Sequence, residues 1–343
     1  MAEKEKQIDA VITWLDGSDL EHREKRRKTL EQESGKQENE LTTGRDKTRF
    51  IDNGELKYCI YSIKKFAPWI RKIHLVTDNQ IPDFLSPELQ EKLNIDIVDH
   101  KDIFKSYEWA LPTFNSRTIE TALWRIPGLV SNFIYFNDDF IITKPVNPGD
   151  FFQDEKVILR GKWNNIRNYG PVRMKLNQWF SFAVKTILGI TRSMHLLLQI
   201  RSAQLAGFSN KYFRAPHVPH PIRTETLRSY YAENPKQFEE NIKYRFRNTD
   251  QFSSIYLANH LEIKKNQAEL KPADDFMMIN GETDFSMLIN RKLKKIAYGD
   301  VKFVCVQGFE KFQEKHRNNI HRTFKNLLDL KEIKNDLSDE SKF

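Results

Sequence analysis

The chain has 343 residues, 39% hydrophobic and 30% charged, which excludes a disordered protein and fits a globular one with one large core. Its formal net charge of +8 predicts an anionic partner, such as nucleotide phosphate, nucleic acid or an anionic membrane face. Nucleic acid is disfavoured, because the basic residues are interleaved with acids and no nucleic-acid-binding motif occurs. Cys59 and Cys305 both lie in apolar runs, which predicts two buried thiols in a reducing compartment.

The first half of the chain alternates short apolar runs with helix-period patterns. Predicted strands cover 9–15, 72–77, 95–98 and 133–136, and predicted helices cover 53–66 and 118–124. The charged segment 21–46 is either a solvated helix or a flap. This alternation predicts an α/β sheet, and ligands of such sheets bind beyond the carboxyl ends of the strands.

An aspartate follows or closes each of the four predicted strands. These residues are Asp16, Asp78, Asp99 and Asp138. Their recurrence at strand ends is the main physical indication of a binding site. At the first strand end Gly17 permits close approach of a nucleotide sugar to the backbone, although a plain β-turn explains it equally.

The second half is less regular. Residues 163–212 are predicted to form a helical insertion, and 302–306 a late strand that rejoins the sheet. A charged helix is predicted over 310–334, followed by a frayed tail. Within the insertion, 178–200 has a broad apolar face interrupted by basic residues, which fits either a core helix or a basic helix on a membrane surface. No signal peptide is predicted at the N-terminus.

Two adjacent carboxylates, Asp138 and Asp139, follow the predicted strand 133–136. Hard divalent cations take oxygen ligands and share them with substrate phosphates, so the pair suits a metal that neutralises a breaking pyrophosphate. An Asx-rich turn is the alternative. Glu120, early in the predicted helix over 118–124, would supply a further carboxylate if that helix packs beside the strand.

Polar residues also gather where two of the predicted helices begin. Arg49 and Asn53 precede or open the helix over 53–66, where free N–H groups favour a phosphate and Arg49 would add a bidentate contact. Asn115 and Ser116 precede the helix that carries Arg125. In both places simple helix capping is the alternative.

The segment 216–221 places His217 and His220 among three prolines, which hold it extended. With Arg223 following, it is a candidate acid/base or phosphate-binding site, against a plain surface loop. Arg245 and Arg247 form a second basic cluster, suited either to phosphate or to surface ion pairs.

Together these segments resemble the Stealth family of sugar-phosphate transferases. Its members are bacterial capsular polysaccharide hexose-1-phosphate transferases, similar to the catalytic subunit of animal N-acetylglucosamine-1-phosphotransferase. The four conserved regions of the family correspond to 8–19, 49–152, 216–227 continuing toward 252, and about 302–312. Two departures occur: Leu15 replaces an expected Val, and no Asn-Asp follows Cys305.

The resemblance implies a glycosyltransferase-A-like, Rossmann-like mixed sheet with flanking helices and a helical insertion. Residues 1–162 would form the nucleotide-sugar and metal-binding half of the catalytic domain. Residues 163–212 would be the insertion, with a membrane or acceptor contact, 213–312 the second half, and 313–343 the C-terminal helix and tail. The enzyme would be cytoplasmic, either free or peripheral at the inner face of the membrane, with its oligomeric state open.

The resemblance further implies transfer of a sugar-1-phosphate from a UDP-sugar to a hydroxyl of a glycan acceptor, which is lipid-linked in some settings. A phosphodiester forms and UMP leaves; a conventional glycosyltransferase would release UDP. The implied roles are Mg²⁺ or Mn²⁺ on Asp138, Asp139 and Glu120, proton acceptance by His220 (preferred) or His217, phosphate contacts from Arg49, Arg245 and Arg247, and a donor pocket with Asp16 and Asp78. The same substrate site would include Gly17, Asn53, Asn115, Ser116, Arg125 and Arg223.

Overall fold

The computed structural model describes residues 7–33, 53–166 and 195–330. Arg49 and most of the segment 178–200 lie outside the described residues. The strands are β1 Ile8–Thr13, β2 Ile73–Thr77, β3 Ile95–Asp99, β4 Asn132–Asn137, β5 Phe140–Ile142, β6 Phe152–Gln153, β7 Lys156–Arg160, β8 Lys162–Asn165, β9 Lys211–Arg214, β10 His220–Arg223, β11 Ala268–Lys271, β12 Phe276–Asn280 and β13 Phe303–Gln307. The helices are α1 Leu20–Glu33, α2 Glu55–Phe66, α3 Pro87–Leu93, α4 His100–Ile103, α5 Ser116–Ala122, α6 His195–Leu205, α7 Thr224–Glu233, α8 Pro235–Ile242, α9 Ser254–Lys264, α10 Ser286–Tyr298 and α11 Glu314–Leu327.

A five-stranded mixed sheet with the order β10-β4-β1-β2-β3 forms the centre of the fold. β1 to β4 run parallel, and β10 is antiparallel at the edge beside β4. The predicted α/β class with flanking helices is therefore confirmed. The first four strands lie where the sequence predicts them, because buried parallel strands are short, nearly continuous apolar runs.

The central sheet separates two hydrophobic cores. Successive side chains of a strand point to opposite faces, so Ala10 and Ile12 pack in one core and Val11 in the other. The first core includes buried side chains of α2, α10, α11, β5, β12 and β13. The second includes buried side chains of α4, α5, α7, α8 and α9. The structure thus has a layer on each face of the sheet, and both predicted thiols are buried and free.

One predicted connection is wrong. The late strand was expected to rejoin the central sheet, but β13 lies in a separate three-stranded sheet of order β12-β13-β5. It pairs antiparallel with β5, Cys305 opposite Phe140, and parallel with β12. The chain leaves the central sheet at the turn after β4, and β5 continues into this second sheet, where it supplies the partner strand for β13.

The ends of the predicted insertion are paired strands. β8 and β9 run antiparallel, with Trp163 opposite Phe213, and α6 is helical within the described part of the segment. The C-terminal helix, α11, is shorter than the predicted span of 310–334. Within the described ranges, every helix is too short or too polar to cross a bilayer.

Buried charge stabilises the amino-terminal edge of the central sheet. Asp9 in β1 is fully buried; it accepts two hydrogen bonds from the Arg71 guanidinium, at 2.8 and 2.6 Å, and lies 3.0 Å from His74 Nε2. Burial raises the pKa of Asp9, but the hydrogen bonds from His74 and Arg71 outweigh that effect and hold its pKa below the ordinary value. The ion pair is complete above the ordinary carboxyl pKa and is lost as the pH falls through the lowered one.

Asp9→Asn is expected to reduce the free energy of unfolding by about 1.5–3 kcal/mol at pH 7, because it weakens the hydrogen bonds that Arg71 donates to a buried carboxylate. Asp96→Asn is the matched control, since Asp96 pairs with Lys72 at 2.7 Å on the exposed part of the neighbouring strands. That pair should be worth less than about 1 kcal/mol. Urea unfolding at pH 7 measures both, and equal small losses in the two variants would contradict the prediction.

Candidate active site

The carboxyl ends of β1 to β4 meet at one edge of the central sheet. The register pairs Thr13 with Val76 and with Asn137, and Thr77 with Asp99. The acidic residues that follow or close these strands therefore face a common region, which we call the carboxyl edge. Two of them, Asp138 and Asp139, form the turn between β4 and β5.

Two hydrogen bonds fix Asp139 in place, and one of its carboxylate oxygens accepts none from the described residues. Its backbone oxygen accepts a hydrogen bond from Val306 N at 3.1 Å, and its Oδ2 accepts one from Cys305 Sγ at 3.3 Å. Oδ1 is buried and has no hydrogen-bond partner among the described residues. Burial raises the pKa of Asp139, with a further contribution from Glu55, against the lowering effect of the Cys305 hydrogen bond. The carboxylate is thus fixed in place, and no cationic side chain of the described residues forms an ion pair with it.

The same turn is contacted by the second thiol. Cys59 Sγ, from α2, lies 3.6 Å from the backbone oxygen of Asn137. The Asn137 side chain accepts a hydrogen bond from the Tyr135 hydroxyl at 2.6 Å, and that hydroxyl lies 3.1 Å from Thr13 Oγ1. The turn is therefore attached to α2, β1, β4 and β13, which holds its carboxylates rigidly.

An unpartnered buried carboxylate oxygen next to a second carboxylate fits a divalent cation. No group of three His, Cys, Asp or Glu side chains that could hold a metal occurs in the described ranges, so Asp138, Asp139 and Glu120 do not form a complete three-carboxylate site. Mg²⁺ in particular is commonly held by one or two carboxylates, with substrate phosphates and water completing its coordination. The residues present fit a cation of that kind.

Glu120 instead belongs to a buried polar region behind the carboxyl edge. Its carboxylate accepts a hydrogen bond from Ser253 Oγ at 3.2 Å. Burial raises the pKa of Glu120 to about 7, against the lowering effects of Arg117 and Ser253. Burial, chiefly, and the negative charges of Glu120, Asp138 and Asp139 all raise the pKa of Tyr135, so this tyrosine stays neutral between the two acidic groups.

Both histidines of the proline-rich segment lie beside the aspartate turn. His220 on β10 is directly opposite Tyr135 on β4, and its ring packs edge-on against Tyr256 at 5.4 Å. The His217 ring lies 6.4 Å from the ring of Phe140, which follows Asp139. His220 is buried, and burial, with a smaller effect of His217, lowers its pKa to about 3. His217 is half-buried and so the more accessible of the two.

Asn115 joins the second basic cluster to the start of α5. Its buried amide donates to the backbone oxygens of Tyr244 and Phe246, at 3.0 and 2.9 Å, and to Gln251 Oε1 at 2.8 Å. Its side-chain oxygen accepts from Arg117 N at 3.2 Å, so it also caps α5. Because these bonds use its polar atoms, Asn115 positions the 244–251 segment and is not available to a substrate.

Arg247 and Arg245 have different surroundings. Arg247 Nη2 donates to Ser116 Oγ at 2.6 Å. Arg245 donates to the backbone oxygens of Pro112 and Trp109, at 2.7 and 3.1 Å, and its Nε lies 3.2 Å from Glu33 at the end of α1. Arg245 therefore serves mainly to connect three segments of the chain.

Two other predicted arginines do not join the carboxyl edge. Arg223 is paired in register with Asn132 at the opposite end of β4, and its guanidinium lies 3.4 Å from Glu262. Arg125 donates to the Lys105 backbone oxygen at 2.5 Å and stacks over the Tyr107 ring at 4.7 Å. Because β10 runs antiparallel to β4 and three residues along a strand span about 10 Å, Arg223 lies about 10 Å from His220, toward the amino end of β4.

At the other side of the carboxyl edge, Asp16 and Asp78 are both ordered by neighbours. Asp16 exchanges two backbone hydrogen bonds with the Gln80 amide, and its carboxylate accepts from the backbone and hydroxyl of Ser18. Asp78 lies 3.1 Å from His22 Nδ1. Burial raises the pKa of Asp78, but its hydrogen bond with His22 and nearby positive charge outweigh burial, and the net pKa is lowered.

A cavity of about 1170 Å³ opens beside Asp16 and Gln80. Its lining includes the aromatic rings of Trp14, Tyr61 and Phe84 and the ammonium groups of Lys57 and Lys92. It also includes five carboxylates, those of Asp16, Asp19, Asp83, Glu88 and Asp329. Asn53, by contrast, contacts Glu55 at the start of α2, its backbone N–H donating at 3.0 Å. Gly17 lies in the turn between β1 and α1, next to Asp16.

Several residues of this site were not predicted. Tyr135, Tyr256 and Cys305 lie in apolar runs, where a sequence offers no reason to separate a site residue from a core residue. Only strand register brings Tyr135 opposite His220 and Cys305 beside the aspartate turn.

Comparison with known protein families gives two matches, both in the first half of the chain. The family description "Stealth protein CR1, conserved region 1" matches residues 6–34, and "Stealth protein CR2, conserved region 2" matches residues 49–159. The exopolysaccharide phosphotransferase cps2G of Lactiplantibacillus plantarum is 30% identical over 79% of this chain and 79% of its own length. The capsular polysaccharide phosphotransferase WcwK of Streptococcus pneumoniae is 28% identical over 94% of this chain and 97% of its own. Among solved structures, the galactosyltransferase LgtC in complex with donor and acceptor sugar analogs aligns with a TM-score of 0.40 and 9% identity, over 94% of this chain and 95% of that one.

Proposed function

Because this chain belongs to the Stealth family of polysaccharide phosphotransferases, we propose that it transfers a sugar-1-phosphate from a UDP-sugar to a hydroxyl of a glycan acceptor in capsule or cell-surface polysaccharide synthesis. The observation that carries the proposal is the rigid Asp138–Asp139 turn at the carboxyl edge, with two histidines beside it. Phosphoryl transfer depends on positioning and charge neutralisation more than on covalent catalysis, and this arrangement suits both.

In the proposed reaction the acceptor oxygen forms a bond to the sugar-linked phosphorus. The bond between that phosphorus and the bridging oxygen breaks, and UMP leaves with that oxygen and its electron pair. The acceptor proton passes to an imidazole nitrogen. The product is a phosphodiester that joins the sugar to the acceptor.

Three parts of the reaction are assigned to different residues: metal binding, proton acceptance and neutralisation of phosphate charge. Asp138 and Asp139 would hold Mg²⁺ or Mn²⁺, whose charge would stabilise the pyrophosphate as it breaks. His217 is the base that the geometry favours, because it is half-buried beside Phe140 whereas His220 is buried against Tyr256 with a pKa lowered to about 3. Arg247, held by Ser116, would balance phosphate charge, while Arg245 orders the segment.

The cavity beside Asp16 and Gln80 is proposed to take the nucleotide. Aromatic rings from Trp14, Tyr61 and Phe84 suit stacking on a flat base, and the ammonium groups of Lys57 and Lys92 suit phosphate. The negative side chains of the lining would contact ribose hydroxyls. The acceptor would approach from the side of His217.

The decisive experiment measures which nucleotide leaves. The full chain is incubated with a panel of nucleotide sugars, a glycan acceptor and Mg²⁺ or Mn²⁺, and released UMP and UDP are separated by chromatography. UMP in equal amount to a phosphodiester product is expected. Release of UDP would instead identify a conventional glycosyltransferase on this fold, and release of neither would reject both reactions.

A further inference from the structure

Helix α10 presents an unusual outer surface. Its inner side chains, Ile289, Leu293 and Ile296, are buried in the first core. On the opposite side, Met287 and Tyr298 are 74% and 89% exposed. Exposed apolar side chains that are scattered singly are ordinary in globular proteins, so these two become informative only through the residues that share their face of the helix.

Basic side chains share that outer surface. Helical spacing of i, i+4, i+7 and i+11 places Met287, Arg291, Lys294 and Tyr298 along one stripe. All four are exposed, and Phe285, at the residue before the helix, is 60% exposed. We call these five residues the α10 stripe.

The positive charge of the stripe is not neutralised by the fold. Lys292, on the flank of the helix, pairs with Asp284 at 2.6 Å. In the part of the chain that the structure describes, Arg291 and Lys294 take part in no ion pair. A second copy of this chain would therefore bring like charges together if it docked stripe to stripe.

The stripe begins close to the carboxyl edge. Val306 N donates to the Asp139 backbone oxygen at 3.1 Å, and the next residue, Gln307, accepts at 2.9 Å from the Asn280 amide. Phe285 follows Asn280 by five residues, through a turn closed by the bond from Asp284 N to Asn280 O. The start of the stripe, at Phe285, therefore lies at the same end of the β12-β13-β5 sheet as Asp139.

We propose that the α10 stripe docks the enzyme on an anionic lipid surface. Apolar and aromatic side chains interleaved with Arg and Lys on one helix face combine insertion at the headgroup level with attraction to anionic lipid. The stripe holds the carboxyl edge near the membrane and so near an acceptor carried there. This surface is distinct from the segment 178–200, and its binding requires no catalytic turnover.

Flotation with lipid vesicles tests this docking. The full-length protein is mixed with vesicles of phosphatidylcholine alone, or with about one-third phosphatidylglycerol, at low and high salt. Binding is expected only to the anionic vesicles, and it should weaken as salt screens the charges. Arg291→Glu/Lys294→Glu should weaken binding at least about thirtyfold, because each basic residue near such a surface contributes about fivefold and reversal of charge adds repulsion.

Two further variants separate the apolar contribution to vesicle binding from the electrostatic one and from the effect of net charge. Met287→Ser/Tyr298→Ser keeps the charge and should also weaken binding, which a purely electrostatic association would not show. Lys236→Glu/Lys265→Glu makes the same change of net charge on exposed lysines in or next to other helices and should bind as the wild type does. Thermal unfolding confirms that each variant is folded.

Three outcomes would overturn the docking surface. They are absence of wild-type binding to anionic vesicles, equal loss in the Lys236/Lys265 control, and undiminished binding of the Arg291/Lys294 variant. Association of free protein in light scattering that the Met287/Tyr298 variant abolishes, without vesicle binding, would assign the stripe to a contact between copies instead.

Discussion

Asp139→Asn is expected to lower the rate of nucleotide release by about 10³-fold or more, since it removes negative charge from the position where a bound cation would stabilise the breaking pyrophosphate. The new amide oxygen would still accept the Cys305 hydrogen bond, and asparagine matches aspartate in size, so the turn should keep its shape. The loss would then come from the missing carboxylate charge.

The same substitution should not weaken the fold. Burial raises the pKa of Asp139, which means that its ionised form costs stability that grows as the pH rises from the ordinary carboxyl pKa toward the raised one. Asparagine removes that cost. Without added metal at pH 8, the urea midpoint of Asp139→Asn should equal or exceed that of the wild type, and Mg²⁺ should raise the melting temperature of the wild type alone.

Asp99→Asn provides the control, because Asp99 also ends a strand of the central sheet and also has one buried oxygen without a partner among the described residues, but it caps α4 by accepting from Lys101 N at 2.8 Å. Asparagine caps almost as well, so activity should stay within about threefold of the wild type and stability nearly unchanged. Wild-type activity in Asp139→Asn, or an equal loss in Asp99→Asn, would remove Asp139 from the proposed site.

The parts of the fold that could be predicted are those whose signal is local. β1 to β4 are nearly continuous apolar runs, and α2 has apolar residues at helical spacing. The bounds of these four strands and of this helix are therefore predicted to within about two residues. The capping role of Asn115 was also visible, because a polar residue just before a helical pattern is the usual N-cap. The four acidic strand ends follow from the same local patterns.

What could not be predicted depends on pairing between distant segments. β5 has three residues, too few to show a period, and yet it moves β13 out of the central sheet. Likewise His220 lies opposite Tyr135 although 85 residues separate them, and no local pattern encodes that register. Arg245 resembles a phosphate ligand in the sequence, and only the fold brings Glu33 and two backbone oxygens to its guanidinium.

The two histidines of the proline-rich segment are expected to differ in their effects on turnover. His217→Ala should lower the rate by about 10²–10⁴-fold, the range for loss of a general base. His220→Ala should lower it by less than about tenfold, because a buried imidazole with a pKa lowered to about 3 is a poor proton acceptor at neutral pH. The family resemblance implies a slight preference for His220, whereas the proposal made here assigns the base to His217.

Stability and pH provide the independent measurements. His220 stays neutral in the fold while the unfolded chain takes up a proton below its ordinary pKa of about 6.5, so its contribution to stability falls as the pH drops from about 6.5 toward 3. His220→Ala should therefore lower the urea midpoint at pH 7, through lost packing against Tyr256, and make it less sensitive to acid. His217→Ala should leave the midpoint almost unchanged. Near-wild-type turnover in His217→Ala would remove His217 from the base role, and a large loss in His220→Ala with an unchanged urea midpoint would assign that role to His220.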